Sequence, residues 1–200
     1  LLDADLVLIS PRSKSSISMS GFPKRRLIQT LAVEDVEKTA PVNLNYLLWR
    51  NPENLKTRSI LALGFNPSDS LLLDDGFSKK AYKLRNPSRV LFDKLSRPEF
   101  GPIEEWFLSD QKVETEVAGK RVIVEGLVEL GPSFGADGNL ITSQETFLRL
   151  FPANPPGSIE IGLVKLRKGS DPEWISKILN NSLPNDVRVL TKNQFIEFEK

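Results

Sequence analysis

Apolar and polar residues change their spacing several times along the chain, and each change marks an element. After Asp5 the run LVLIS, bounded by Pro11, reads as a short buried strand. In FPKRRLIQTLA, Leu27, Ile28 and Leu31 fall at i, i+1 and i+4, one face of a helix. Pro23 sits near its start, where a missing N–H costs nothing. Val33 and Val36 lead to Pro41. Residues 43–50, NLNYLLWR, then predict a second strand and residues 58–67, RSILALGFNP, a third, with Asn51-Pro52 as the break between them. The opening is β-α-β-β.

The middle has a different texture. Residues 68–87 are polar and irregular, with a possible short helix over 79–85, and 90–92 is a brief strand. Pro102 suits the first position of a helix in which Ile103, Trp106 and Phe107 share a face. VETEVAGKRVIVEGLVEL predicts a hairpin turning near Gly119, with Val113, Val117, Val122 and Val124 in period-two positions. Thr142 is placed to cap the next helix, with Glu145 reaching back and Phe147, Leu148 and Phe151 as the apolar face. Pro152, Pro155, Pro156 and Gly157 end it.

Regular alternation returns at Ser158, where Ile159, Ile161 and Leu163 predict a strand. Asp171-Pro172 is an N-cap followed by proline at the first helical position; Trp174, Ile175, Ile178 and Leu179 form the expected buried stripe, ending at Pro184. VRVL closes the chain as a strand, and NQFIEFEK resembles the opening of a further helix. The closing β-α-β complements the opening one. The economical architecture is α+β and discontinuous: residues 1–70 and 157–200 form one α/β sandwich, and residues 71–156 are an inserted second α+β lobe.

Composition narrows the function more than it defines it. The chain has 200 residues, 40% hydrophobic and 26% charged, the balance of a globular domain. Its 27 Lys plus Arg against 26 Asp plus Glu give no reason to expect nucleic acid as partner. With no histidine and no cysteine, disulfides, His/Cys zinc sites, Ser-His-Asp triads and thiol nucleophiles are all excluded. No cofactor or metal is expected. No apolar run approaches the roughly 18 residues of a membrane helix. Leu1 is not a methionine and the only methionine is Met19, so a segment of a longer protein is expected, a secreted protein with a cleaved leader being the alternative.

Two strings stand out: LFDKLSRPEFGPIEEWF at 91–107 and ELGPSFGADGNLIT at 129–142. Together with DADLVLISPRS, WRNP, RSILALGFNPS and IGLVKLRKGSDP, they resemble the extracytoplasmic domain of DevC-type permeases, the membrane subunits of cyanobacterial ABC exporters in the MacB/FtsX group. The resemblance implies a MacB-like periplasmic domain, with a porter-like lobe interrupted by a second lobe, on an inner-membrane permease. It also implies flanking membrane helices, a homodimeric full-length permease and a periplasmic adaptor protein. A TolC-like outer-membrane channel lies beyond the adaptor, ATP hydrolysis is on a separate cytoplasmic subunit, and the cargo is glycolipid or another amphiphile. The domain itself is then no enzyme. Its first and last elements, near residues 6–9 and 195–198, should sit together at the membrane-facing end.

Candidate contact residues follow. In PSFGADGN, Phe134 is an aromatic on a glycine-framed loop, suited to anchoring an interface, and Asp137 and Asn139 flank it. Asp137 and Asn139 are also oxygen donors at i and i+2, but the further carboxylates of a calcium loop are missing, so the string reads as a turn. Arg12, Lys14, Lys24, Arg25 and Arg26 lie in a stretch without acids; they suit anionic lipid or an acidic adaptor surface, or simply a solvated face. Glu104 and Glu105 are neighbours on a helix, about 100° apart, and cannot flank one glycosidic bond. Trp49, Trp106 and Trp174 all fall on faces expected to be buried. A glycan- or lipid-binding module, its groove lined by tryptophans, is the alternative to a transport domain. A further rival is an enzyme working with carboxylates and Lys or Tyr alone, which needs carboxylates converging in a cleft.

Overall fold

A computed structural model describes residues 3–15, 18–69, 80–131, 136–155 and 157–198. Its strands are β1 (Leu6–Ile9), β2 (Phe22–Pro23), β3 (Val36–Arg50), β4 (Thr57–Phe65), β5 (Arg89–Asp93), β6 (Glu114–Val117), β7 (Lys120–Val128), β8 (Asn139–Ser143), β9 (Ser158–Ile159), β10 (Ile161–Leu166) and β11 (Arg188–Thr191). The helices are α1 (Arg25–Gln29), α2 (Ile103–Leu108), α3 (Gln144–Leu150), α4 (Pro172–Ser182) and α5 (Lys192–Phe198). The chain divides into two compact units, one of Leu1–Asn43, Asp69–Leu73 and Pro155–Lys200, the other of Leu44–Ser68 and Asp74–Asn154.

The first unit is a β-α-β-β-α-β arrangement built from β1, α1, β3, β10, α4 and β11. Its strands lie in the order β11-β1-β10-β3, every neighbour antiparallel, the split β-α-β order of ferredoxin-like folds. Leu6, Leu8, Val164 and Val189 from the strands pack with Leu27 of α1 and Ile175 and Leu179 of α4. Asp171 caps α4, accepting from the N–H of Glu173 at 2.9 Å and of Trp174 at 3.3 Å, with Pro172 following as expected. Leu6 pairs with Thr191 and the Lys192 N–H donates to the Asp5 carbonyl at 3.0 Å. The first strand and the start of the last helix therefore meet, and the helix then runs back along the sheet, so that the Phe198 ring centre lies 5.4 Å from the guanidinium of Arg188, the residue opposite Ile9.

Three expectations for this unit are corrected. β3 begins at Val36 rather than near residue 43, running through Pro41, which lies opposite Gly162. In α1 only Leu27 is buried; Ile28 and Leu31 are exposed. After five residues that helix passes into a 3-10 turn, Thr30–Ala32, which shifts the phase and turns Thr30 inward instead. Trp174 is not part of the buried stripe of α4: it is 61% exposed, because Ile175 and Leu179 cover the sheet and the first turn leaves the indole on the flank.

The second unit closes on itself. Its strands run β3-β4-β8-β5-β7-β6, and β6 returns to β3 through Trp49 opposite Val117. β4 and β8 are parallel, as are β5 and β7. Inside are Trp49, Ile60, Phe92, Phe100, Leu140 and Phe147, and Val113, Val117, Val122 and Val124 point inward as their alternation predicts. The hairpin β6–β7 turns on Ala118 and Gly119, both with positive φ, the twist that suits a two-residue connection.

The closure moves the division between units to Asn43/Leu44, whereas a division near residue 70 is expected from the sequence. The second half of β3 and all of β4 are needed to pair the strands that would otherwise be open edges. β8 has no counterpart in the sequence expectations. All five of its residues are buried, so it shows no alternation. Because β8 extends through Ser143, the cap of α3 is Ser143, whose hydroxyl accepts from the Thr146 N–H at 3.2 Å, and not Thr142. Thr142 instead donates its hydroxyl to the Arg89 carbonyl at 2.8 Å. No helix among the described residues is long and apolar enough to cross a membrane.

Candidate partner-contact site

The strings at 91–107 and 129–142 converge in the second unit. β5 ends on Asp93, a fully buried carboxylate. Taking a carboxylate out of water is costly unless its oxygens are satisfied. Four donors satisfy these: the N–H groups of Leu95 at 3.1 Å, Leu130 at 3.0 Å and Gly131 at 3.0 Å, and the Asn139 side-chain amide at 2.8 Å. Asn139 is buried at the start of β8 and also donates to the Gly131 carbonyl at 3.0 Å, while its own N–H donates to the Ser96 hydroxyl at 3.2 Å. One carboxylate and one amide thus tie Leu130 and Gly131 to the start of β8.

Asp137 lies outside this clamp. Its carboxylate takes Arg58 from β4 and Arg97, the latter at 2.7 Å, and the Arg97 N–H donates to the Asp137 carbonyl at 2.9 Å. The hydrogen bond from Arg58 holds the Asp137 carboxyl below the usual range, against partial burial and with added attraction from Arg97. Arg58 lies 5.8 Å from the centre of the Phe100 ring. A Cβ on Gly138 would meet Phe100 Cε2 at 2.6 Å and the Ser96 hydroxyl at 2.8 Å, so only glycine allows this approach.

WRNP joins the same region. Trp49 donates its indole N–H to the Phe100 carbonyl at 3.0 Å. The Asn51 amide donates to the Glu99 carbonyl at 3.0 Å, and its oxygen accepts from the N–H groups of Glu53 and Asn54. Most of these bonds end on the backbone, which explains the abundance of Gly, Pro, Asp and Asn: they hold irregular segments in place.

Of the proposed contact residues, the structure places two, and it places them differently. Phe134 lies outside the described residues. Asp137 is half-exposed and ion-paired. Asn139 is buried at the start of β8. The donors on Asp137 are guanidinium groups and the Asn139 nitrogen faces acceptors, so neither is arranged as a cation ligand; among the described residues no three His, Cys, Asp or Glu side chains gather to hold a metal. Glu104 and Glu105 occupy the first turn of α2, where the helix dipole favours them. The sequence reasoning passed over Asp93, although its position directly after the apolar run VLF is a signal for a carboxylate with an internal task.

No protein-family model and no curated protein matches this chain. Solved structures do. The extracellular domain of the noncanonic ABC-type transporter YknZ from Gram-positive bacteria aligns over 94% of this chain and 99% of its own, at 12% identity and a TM-score of 0.57. The periplasmic region of MacB from Actinobacillus actinomycetemcomitans aligns over 97% of this chain and 91% of its own, at 11% identity and a TM-score of 0.59. The fold is that of a MacB-like periplasmic domain. Both compact units are built from separated stretches of the chain. The likeness spans nearly the whole of both chains at an identity that carries the fold alone.

Proposed function

We propose that this chain is the extracytoplasmic domain of an ABC exporter permease of the DevC type. In this reading it performs no chemistry and relays ATP-driven motion of the membrane helices to a periplasmic adaptor, and through it to an outer-membrane channel. The single observation that supports it best is the meeting of β1 and α5, with Asp5 and Lys192 joined through their backbones. A domain held between two membrane helices needs its ends side by side, and a relay needs a stiff connection between them. Glycolipid or a similar amphiphile is the cargo class that goes with this reading, and ATP is hydrolysed on a separate cytoplasmic subunit.

The cations at the start of the chain fit one of their two offered partners. Arg12 and Lys14 follow the far end of β1, where Ile9 pairs with Arg188, and Lys24 and Arg25 open α1 beside the β2–β9 pair. Arg26 is bound to Asp186 at 2.8 Å. They lie away from the end where Asp5 meets Lys192, so under this reading they face an acidic protein surface rather than lipid headgroups.

The test uses the absence of cysteine from the chain. A single cysteine at exposed Lys112, carried on the membrane-bound protein, is treated with a membrane-impermeant maleimide on intact spheroplasts. Labelling without lysis is expected; labelling only after lysis would overturn the reading. Capture of the cognate adaptor, with F134A and D137A in parallel, tests the adaptor contact separately.

A further inference from the structure

The sheet of the first unit has one strand with a neighbour on a single side. Among the described residues β11 ends the strand order, whereas β6 at the other end pairs back to β3. An outer strand turns every second N–H and C=O away from the sheet, where a strand of another molecule can pair with them. Lys192 donates its N–H to the Asp5 carbonyl on the β1 side, so Val187, Val189 and Thr191 are the residues whose backbone groups turn outward. Each of their N–H groups is taken within the chain. Val187 donates to the Pro184 carbonyl at 3.4 Å, Val189 to the Asn180 side-chain oxygen at 2.9 Å and Thr191 to the Gln194 side-chain oxygen at 3.0 Å. The Val189 carbonyl accepts from the Asn180 amide at 2.8 Å and from the Ser176 hydroxyl at 3.0 Å.

We propose that Asn180, assisted by Gln194, is a plug that closes this edge against β11 of a second copy of the chain. A primary amide carries an acceptor and a donor in one plane, the same pair that a residue of an adjoining antiparallel strand presents. Asn180 applies both to Val189, and its second N–H is held by the Ser176 carbonyl, one turn back in α4, at 2.9 Å. The amide is thereby fixed while the residue itself stays exposed to water. At the next outward position Thr191 and Gln194 bond each other reciprocally, the Gln194 N–H reaching the Thr191 hydroxyl at 3.4 Å as α5 begins. A second copy is the partner that fits the edge, because a two-fold axis sets Val189 against Val189 with both outward groups matched. The inference stands apart from the exporter reading, since it uses only contacts within the first unit.

Two measurements test it. In dilute wild type, amide hydrogen exchange read by NMR should find Val189 and Thr191 as protected as Arg188 and Leu190, whose backbone groups face β1. N180A should speed exchange at Val189 about tenfold, the worth of one backbone hydrogen bond, and leave Leu190 unchanged. An unprotected Val189 in wild type, or an unchanged rate in N180A, overturns the plug. Sedimentation then reads what the plug prevents. N180A/Q194A should form dimers as concentration rises, while N180D, which keeps an acceptor for Val189 but adds a charge to the edge, stays monomeric like wild type. A double variant that remains monomeric at every concentration, or a wild type or N180D that pairs as strongly, overturns the guard against a second copy. The exchange measurement on wild type needs no substitution and decides even where the double variant does not fold.

Discussion

The two units hold themselves together differently. In the first, short antiparallel strands and two helices share one apolar layer, and its described polar contacts serve mostly to cap and staple. In the second, a closed circuit of strands is finished at one edge by a buried carboxylate, two asparagine amides and an indole N–H, all binding irregular backbone. A regular sheet needs only the right spacing of apolar residues, which many sequences supply. An irregular edge needs particular donors and acceptors at particular places. The strings dense in Gly, Pro, Asp and Asn therefore lie largely in the second unit, where they serve structural ends.

The two tryptophans at the extremes of exposure give the largest contrast. Trp49 is fully buried and hydrogen-bonded, so Trp49→Ala should cost about 4 kcal/mol. Trp174→Ala should stay within about 0.5 kcal/mol. Urea unfolding of both variants measures this; comparable losses would mean that Trp174 belongs to a core after all.

Next comes the clamp. Asp93→Ala leaves three backbone N–H groups and the Asn139 amide without their acceptor, and should cost about 3 kcal/mol in the same experiment. A loss no larger than that of a surface substitution would show that Leu95, Leu130, Gly131 and Asn139 are held by packing alone.

The smallest effect is electrostatic and compares the units directly. Arg58 lowers the Asp137 carboxyl in the second unit, and Arg26 does the same to Asp186 in the first. A carboxyl lowered in the folded state adds stability above its unfolded pKa, about 3.9, and that stability is lost as pH falls through the lowered value. Stability measured from pH 6 down to pH 2 should therefore fall less steeply in Asp137→Asn and Asp186→Asn than in wild type. Both groups are partly exposed, so salt should reduce the difference. An unchanged slope in either variant removes that pair from the account.

Much of this was legible in the residues. The β-α-β segments at both ends, the cap at Asp171 and the hairpin valines all follow from period and punctuation. β8 was not, because a strand buried on both faces shows no alternation, and its flanking turn and helix signals left it no space. Nor was the phase of α1, where a 3-10 turn replaces a continued helix. At the candidate site Asp137 and Asn139 were visible as loop residues. Their division into an ion-paired residue and a buried clamp depends on Arg58, Arg97 and Asp93, which come from distant parts of the chain.

Local chemistry was settled by sequence alone: where the backbone turns, which stretches are apolar, and that no imidazole or thiol is available. Tertiary structure decided which strands complete the second unit, where the division between units falls and which tryptophan faces water. The physical reason is that alternation and capping act over a few neighbours. Strand closure and the satisfaction of a buried charge depend on partners tens of residues away, and no local pattern carries their identity.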